Sequence, residues 1–329
     1  MPKCHPDTYL GVFLNNSTTG STIQNVTANS NRYGIWLNAS SNYNTLTNNT
    51  ANSNSITGIY LDNSSHYNIL TGNTANLNST GIGLDDGPFY NTLTNNTANS
   101  NTYGIRFGGM DVRSNTLTDN TTNLNTYGIH FTYTSSNTLT NNTVNSNSYG
   151  IYLEGESYDN TLTSNTINLN TYGIYLTSDS YGNTATLNYL LDNTTDNASD
   201  DSAGPNAWDS GGRGNYWDDW QSPDANSNGI VDNPRLIAGG TSQDNFPLVD
   251  VTGPTCSISS ISVSNNYGYA SGSTIYYNPL FSGSFTVNVS ASDTESGVWK
   301  VNFPDTVSAG GDDTSSPYAF TYDWDTSDT

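Results

Sequence analysis

One phrase returns eight times along this chain, and it constrains the fold more than any other feature. It reads Gly-Ile-X-Leu or a close variant, and its glycines are Gly11, Gly34, Gly58, Gly81, Gly104, Gly128, Gly150 and Gly173, spaced 22 to 24 residues apart. A second column keeps phase with it: Ile23, Leu46, Leu70, Leu93, Leu117, Leu139 and Leu162, mostly inside "NTLTNNT". Self-similarity at this period means stacked units, each too small to bury a face alone.

The unit is a strand unit. Leucine-rich repeats share the length but need more leucines, and helical repeats need a 3.6-residue pattern that is absent. The apolar positions come in short period-2 bursts, such as Leu46, then Ala51, then Ile59 and Leu61. That pattern predicts three short strands per turn, with small or β-branched residues pointing inward. Asparagines recur at the corners, at Asn31, Asn54, Asn78, Asn101, Asn125, Asn147 and Asn170. Asparagine tolerates left-handed backbone, and stacked amides can bond along the stack. Each glycine is expected to relieve a tight bend before a strand. The expected fold is all-β: a right-handed parallel β-helix of about eight coils and roughly 40 Å length.

Composition narrows the partners. Seven Lys plus Arg stand against 29 Asp plus Glu, a net charge of −22, so the clustered cations that a phosphate backbone needs are missing. Divalent cations and neutral glycans fit this chain, and nucleic acid does not. No apolar run approaches the length of a membrane span. Cys4 and Cys256 lie in different segments and suggest no disulfide framework. Thirteen N-x-S/T sequons, among them Asn25, Asn63, Asn141 and Asn288, are what an Asn/Thr-rich repeat generates by chance, and equally what an exported glycoprotein would use. The first residues do not read as a signal peptide. The chain reads as a fragment of a longer protein, with signal and anchor outside it.

Repeats such as "NTLTNNTANSNTYGIRF" resemble the NosD-type β-helix family, whose repeats also occur in large surface proteins of methanogenic archaea. The resemblance covers roughly residues 8–250 and implies the fold more strongly than any activity. "GNYWDDW" followed by "DNFPL" resembles the closing segment of such helices. An open coil end exposes apolar surface and unpaired strand groups, and Trp208, Tyr216, Trp217, Trp220 and Phe246 are expected to cover it. The expected division is a β-helix over 1–190, a Trp/Asp-rich cap over 191–250, and a truncated immunoglobulin-like β-sandwich over 251–329. The last rests on period-2 alternation in "SFTVNVSASD" and "SPYAFTYDWDTSD", which resemble bacterial and archaeal immunoglobulin-like modules.

Three groups of residues are candidates for function. In Gly-Ile-X-Leu the Ile and Leu point inward, so X points out. The X residues are Phe13, Trp36, Tyr60, Gly83, Arg106, His130, Tyr152 and Tyr175, with a polar strip beside them that includes Asp62, Asp85, Thr132 and Glu154. Aromatic faces beside hydrogen-bonding groups suit a sugar, which makes Trp36, Tyr60, Tyr152 and Tyr175 candidate glycan contacts with open ring faces. The same aromatics could simply stack on one another for stability.

A catalytic group is sought in Asp62, Asp85, Arg106 and His130, the loose cluster nearest to paired carboxylates with a cation. Solvated surface charge is the competing explanation. A metal site is expected in "DANSNGIVD", where Asp224, Asn226, Asn228, the Ile230 carbonyl and Asp232 follow the start of a calcium loop. A turn rich in Asp and Asn is the alternative. The NosD resemblance carries an association with copper, yet the His, Cys and Met residues that copper wants are few and scattered, and no copper site is read here. The expected function is structural or adhesive, at a cell surface or outside the cell, with polysaccharide or envelope glycans as partners. The rival is a polysaccharide-active lyase, hydrolase or epimerase.

Overall fold

The computed structural model describes residues 10–177, 179–249, 255–271, 274–278, 280–292, 301–303, 310–313 and 317–325. It falls into two compact units, Met1–Val249 and Asp250–Thr329. Among the described residues every regular element is a strand.

The first unit is a parallel β-helix. Sheet A holds nine strands in coil order, from Leu10–Leu14 through Tyr103–Gly108 to Asp196–Asp200. Sheet B holds eight three-residue strands, from Thr22–Gln24 to Thr184–Thr186. Sheet C begins as single bridges linking Thr27, Thr50, Thr74, Thr97 and Thr121, then widens into five strands from Thr121–Asn123 to Tyr216–Trp217. Between the sheets lie the fully buried columns Ile35, Ile59, Ile82 and Ile105, Leu46, Leu70 and Leu93, and Ala51, Ala75 and Ala98. The small alanines set the width of the coil where sheet C is narrowest.

Coil stacking runs past residue 190. A ninth sheet-A strand, Asp196–Asp200, pairs with Tyr172–Leu176, setting Ala198 beside Ile174. "DNASD" contains neither the glycine nor the Ile-X-Leu pair, so periodicity could not reveal it. Trp208 and Trp217 then close the end of the core at 1% exposure, and Trp220 packs partly against it. Phe246, expected in the same cover, is 39% exposed.

The repeated glycines act differently from expectation. None of the eight has a positive φ. A Cβ on Gly34 would lie 2.5 Å from the Gly58 carbonyl oxygen, and one on Gly104 would lie 2.5 Å from that of Gly128. The glycines let neighbouring coils approach; they do not relieve a bend. Bends are made instead by left-handed non-glycine residues such as Asn48, Ser53, Tyr67 and Leu77, with φ between 53° and 60°.

Three internal asparagine ladders, from Asn44 to Asn206, Asn49 to Asn215 and Asn31 to Asn193, tie these corners together. In every rung but the first of the Asn31 ladder, where Asn54 Oδ1 accepts only the Asn31 backbone N–H, one amide oxygen accepts two bonds from the preceding coil. Asn120 Oδ1 takes the Asn96 backbone N–H and side-chain Nδ2 at 3.0 Å each, while its own Nδ2 donates to Asn142 Oδ1 at 3.0 Å and to the Leu93 carbonyl at 2.9 Å.

The second unit is antiparallel. Strands Thr255–Val263, Gly283–Ser292 and Tyr318–Trp324 form one sheet, with hairpins Gly268–Ser271/Thr274–Tyr277 and Val301–Phe303/Gly311–Asp313. Its core gathers Phe285, Val289, Val301, Phe303, Tyr318, Tyr322 and Trp324. Residues 293–300, part of the stretch read as immunoglobulin-like, and Cys4 lie outside the described residues.

Asn120→Ala should lower unfolding stability by about 3 kcal/mol, because it leaves the Asn96 backbone N–H and one Asn96 Nδ2 proton buried without partners. The half-exposed Asn123→Ala should cost well under half as much. Denaturant titration of both variants checks this, and equal costs would contradict the role assigned to the ladder.

Candidate functional site

The strand register sets the X residues side by side: Phe13 with Trp36, Trp36 with Tyr60, Tyr60 with Gly83, Gly83 with Arg106, Arg106 with His130, His130 with Tyr152, and Tyr152 with Tyr175. They form one outward column on sheet A. A second aromatic column runs beside it, three residues earlier in each coil, where simple alternation would have placed the side chains inward. Tyr103, Tyr127, Tyr149 and Tyr172 stack there with centroids 5.1 to 5.2 Å apart and planes within 11°.

The two columns pack on each other. Trp36 stacks on Tyr33 at 4.8 Å, Tyr152 lies 5.4 Å from both His130 and Tyr175, and Tyr149 lies 5.1 Å from Tyr152. Trp36, Tyr60, Tyr152 and Tyr175 are accordingly half-buried, with much of their faces turned onto neighbouring rings. Burial beside Glu154 pushes the Tyr152 phenol up. A hydrogen bond from Tyr175 to Asp201 Oδ2 (2.8 Å), with burial second, pushes Tyr175 up to about 12.

The column breaks at Gly83. The rings packed on Tyr60, Tyr33 and Trp36, come from the preceding coil, and a Cβ on Gly83 would lie 3.2 Å from Tyr60 Cδ2. In this notch Arg106 Nη1 contacts both Asp85 carboxylate oxygens at 3.0 Å, and its guanidinium lies 5.7 Å from the Tyr103 ring centre. Asp62 stands in register with Asp85 on the adjoining coil. The Tyr60 phenol lies beside this carboxylate pair and is pushed up, first by burial and then by Asp85 and Asp62. Burial, opposed by the Asn63 amide and reinforced by Asp86 and Asp85, raises Asp62 from 3.8 to about 6. Burial raises Asp85 as well, with Arg106 pulling the other way.

His130 stands beside Arg106 in register but belongs to a different contact. It is 4% exposed, roofed by Tyr103 and Tyr127 at 5.1 Å and by Tyr152, and its Nε2 lies 3.0 Å from Glu154 Oε1. Burial lowers its basicity against the pull of Glu154. Of the four residues read as a catalytic cluster, then, Asp62, Asp85 and Arg106 share a notch, while His130 is turned to Glu154. Alternation in the sequence identified the X column and set Asp62 beside Tyr60; it gave no sign that Asp85 joins them, since that contact crosses coils.

In the 224–232 loop the side-chain oxygens face the loop's own amides. Asp224 accepts from the Asn228 and Gly229 N–H groups at 3.1 and 3.0 Å, Asn226 from Asn228 at 3.0 Å, Asn228 from Ile230 at 3.0 Å, and Asp232 from Ala225 at 2.9 Å.

Several solved structures share the architecture. The periplasmic alginate epimerase AlgG, in a point-mutant form, aligns with a TM-score of 0.50 at 18% identity over 57% of this chain and 49% of its own. A second AlgG structure gives 0.46 at 20% identity over 54% and 47%. The A-module of the mannuronan C-5 epimerase AlgE6 of Azotobacter vinelandii gives 0.45 at 15% identity over 61% and 57%. The chain thus spans about half the length of these structures, and at such identities they speak to fold alone. No curated protein matches the chain.

The profile of the family described as periplasmic copper-binding protein (NosD) matches residues 5–109 and 90–222. Among the described residues the donors do not fit copper chemistry. His66 is stacked 3.5 Å from Phe89 and lies three coils from His130, roughly 14 Å along the stack. Met110 is 82% exposed on a turn, and Cys256 belongs to the second unit. Among the described residues no three His, Cys, Asp or Glu side chains are grouped to hold a metal ion. Repeat, coil geometry and a profile match over most of the β-helix nevertheless agree, and the chain belongs to the NosD family.

Proposed function

We propose that this chain is a glycan-binding β-helix of the cell surface or extracellular space, and that it recognises sugar at the Gly83 notch of sheet A. The observation that carries the reading is the break in the aromatic column at Gly83 and Arg106. There one ring, Tyr60, is left without a ring on its outer side, next to two carboxylates and an arginine. A pyranose needs an apolar face for its C–H groups and a rim of donors and acceptors for its hydroxyls. Tyr60 supplies the first, and Asp62, Asp85 and Arg106 supply the second. Trp36 on one side and Tyr152 with Tyr175 on the other extend the column into flanking contacts. The polysaccharide epimerases among the structural neighbours make glycans a reasonable partner class, and among the described residues no helix is long and apolar enough to cross a membrane.

Two further assignments belong to the proposal. Residues 251–329 are an immunoglobulin-like spacer, and the 224–232 loop takes calcium on reorienting Asp224, Asn226, Asn228 and Asp232, with the Ile230 carbonyl. One observation favours an enzyme as second reading. Asp62, held near 6, stands beside Asp85, which Arg106 favours in its charged form, and such a pair can divide acid and base roles on a polysaccharide. Turnover of uronate or neutral glycans that disappears in Asp85→Ala would decide for it.

Arg106→Ala and Tyr60→Ala should each weaken glycan-array binding about tenfold, or about 1.4 kcal/mol. Binding unchanged in both, and in Trp36→Ala with Tyr152→Ala, would reduce sheet A to scaffold. Because Asp62 is raised in the folded state, the native chain holds a proton between pH 4 and 6 that the unfolded chain has released. Its contribution to stability therefore falls as pH rises through that window. Unfolding midpoints at pH 4.5 and 7 should converge in Asp62→Asn relative to the parent. Asp224→Ala should lower the melting temperature more with calcium present than in chelator, where only its bonds to the Asn228 and Gly229 amides are lost.

A further inference from the structure

Sheet B is a different kind of surface from sheet A. Each short strand points one residue inward and two outward, and the outward pair is almost always threonine. Thr45 and Thr47, Thr92 and Thr94, Thr116 and Thr118, Thr138 and Thr140, and Thr161 and Thr163 are all half-exposed around a buried leucine. The register runs without a shift across all eight strands, so the outward residues form two straight columns, broken only by Gln24 and Ile69. Around the next corner a third column, Thr27, Thr50, Thr74, Thr97, Thr121, Thr143 and Thr166, runs parallel to them.

Strand propensity explains threonine at any one of these places. It does not explain the sameness. In the same coils the outward X column of sheet A changes through Trp, Tyr, Gly, Arg and His, so the repeats are free to diverge where a surface can vary. Nor does it explain the charge. Solvated surfaces normally carry charged side chains throughout. In a chain with 29 Asp plus Glu, residues 45–56, 69–80, 92–102, 116–126, 138–148 and 161–171 contain one charged residue, Asp119.

We propose that this face binds ice. The columns repeat hydroxyls at about 4.8 Å along the stack and about 6.7 Å across each strand, a rectangular net comparable with the oxygen net on a prism face of hexagonal ice. β-Branched threonine is stiff at χ1, so each position presents a hydroxyl and a methyl in a fixed arrangement. The hydroxyls join the lattice as hydrogen-bond partners, and the methyls hold water in the hollows between them. A charged side chain would orient water against the lattice, and the face excludes charge. One hydroxyl contributes little by itself, but a rigid array engages many at once, which makes release slow.

The test uses the full chain. The parent protein should facet ice crystals, slow recrystallisation and become enriched in slowly grown ice. Thr94→Tyr combined with Thr118→Tyr places two rings in the centre of the array and should reduce enrichment at least tenfold. Met110→Tyr, which adds the same ring on an exposed turn, should leave it unchanged. Unchanged circular dichroism and melting temperature establish that the double variant is folded. No faceting and no enrichment by the parent chain would overturn the proposal, as would full activity in the double variant. So would retention on crystalline cellulose or chitin through the threonine columns without any effect on ice. Glycan-array binding at the Gly83 notch is read separately, so failure of either idea leaves the other standing.

Discussion

The asparagine ladders are the interaction on which the rest of this molecule depends. A coil of 22 to 24 residues, mostly Asn, Thr and Ser, cannot bury enough apolar surface to hold its own corners. Each ladder amide solves this by satisfying backbone and side-chain donors of the preceding coil with a single oxygen. Because every rung donates in the same direction, the column has a donor end and an acceptor end, as an α-helix does, and the donor end favours an anion. All three ladders finish on aspartate. Asn206 donates to Asp200 Oδ1 at 3.1 Å, the Asn215 N–H to Asp244 Oδ2 at 2.7 Å, and Asn193 reaches Asp218 through Asn197 with bonds of 2.8 and 2.7 Å. A carboxylate accepts and cannot donate onward, so it ends the series.

The same acids anchor the tryptophans that seal the core. Trp208 Nε1 bonds to Asp200 Oδ2 at 3.1 Å, and Trp217 Nε1 to Asp244 Oδ2 at 2.9 Å. Burial raises the Asp244 pKa, while its contacts with Asn215, Trp217 and Phe246 pull it down. Ladder termination and apolar capping are therefore one device built from two kinds of side chain, and the last coil can drop the Gly-Ile-X-Leu phrase without losing its place.

With the interior fixed in this way, the outward positions are free to specialise by face. Sheet A collects many of the aromatics and a few charged residues, with its stacked rings interrupted at Gly83 and Arg106. Sheet B keeps a single residue type in strict register. A solenoid converts one changed residue per coil into a column, so differences between faces become differences between extended surfaces.

The periodic glycines, the leucine column and the corner asparagines were enough, in sequence alone, to determine a parallel β-helix, its inward residues and its outward column, because each depends only on period and alternation. Contacts between coils decided the rest. The glycines proved necessary for the approach of a neighbouring carbonyl, which no single repeat reveals. "DNASD" forms a coil because Tyr172–Leu176 pairs with it, despite its lack of the motif. Tyr60 meets Asp85, and His130 is drawn to Glu154 and away from Arg106, because stacking at about 4.8 Å brings together side chains more than twenty residues apart. Period and alternation are local properties of a chain, whereas the environment of a side chain in a solenoid is set mainly by the coils above and below it.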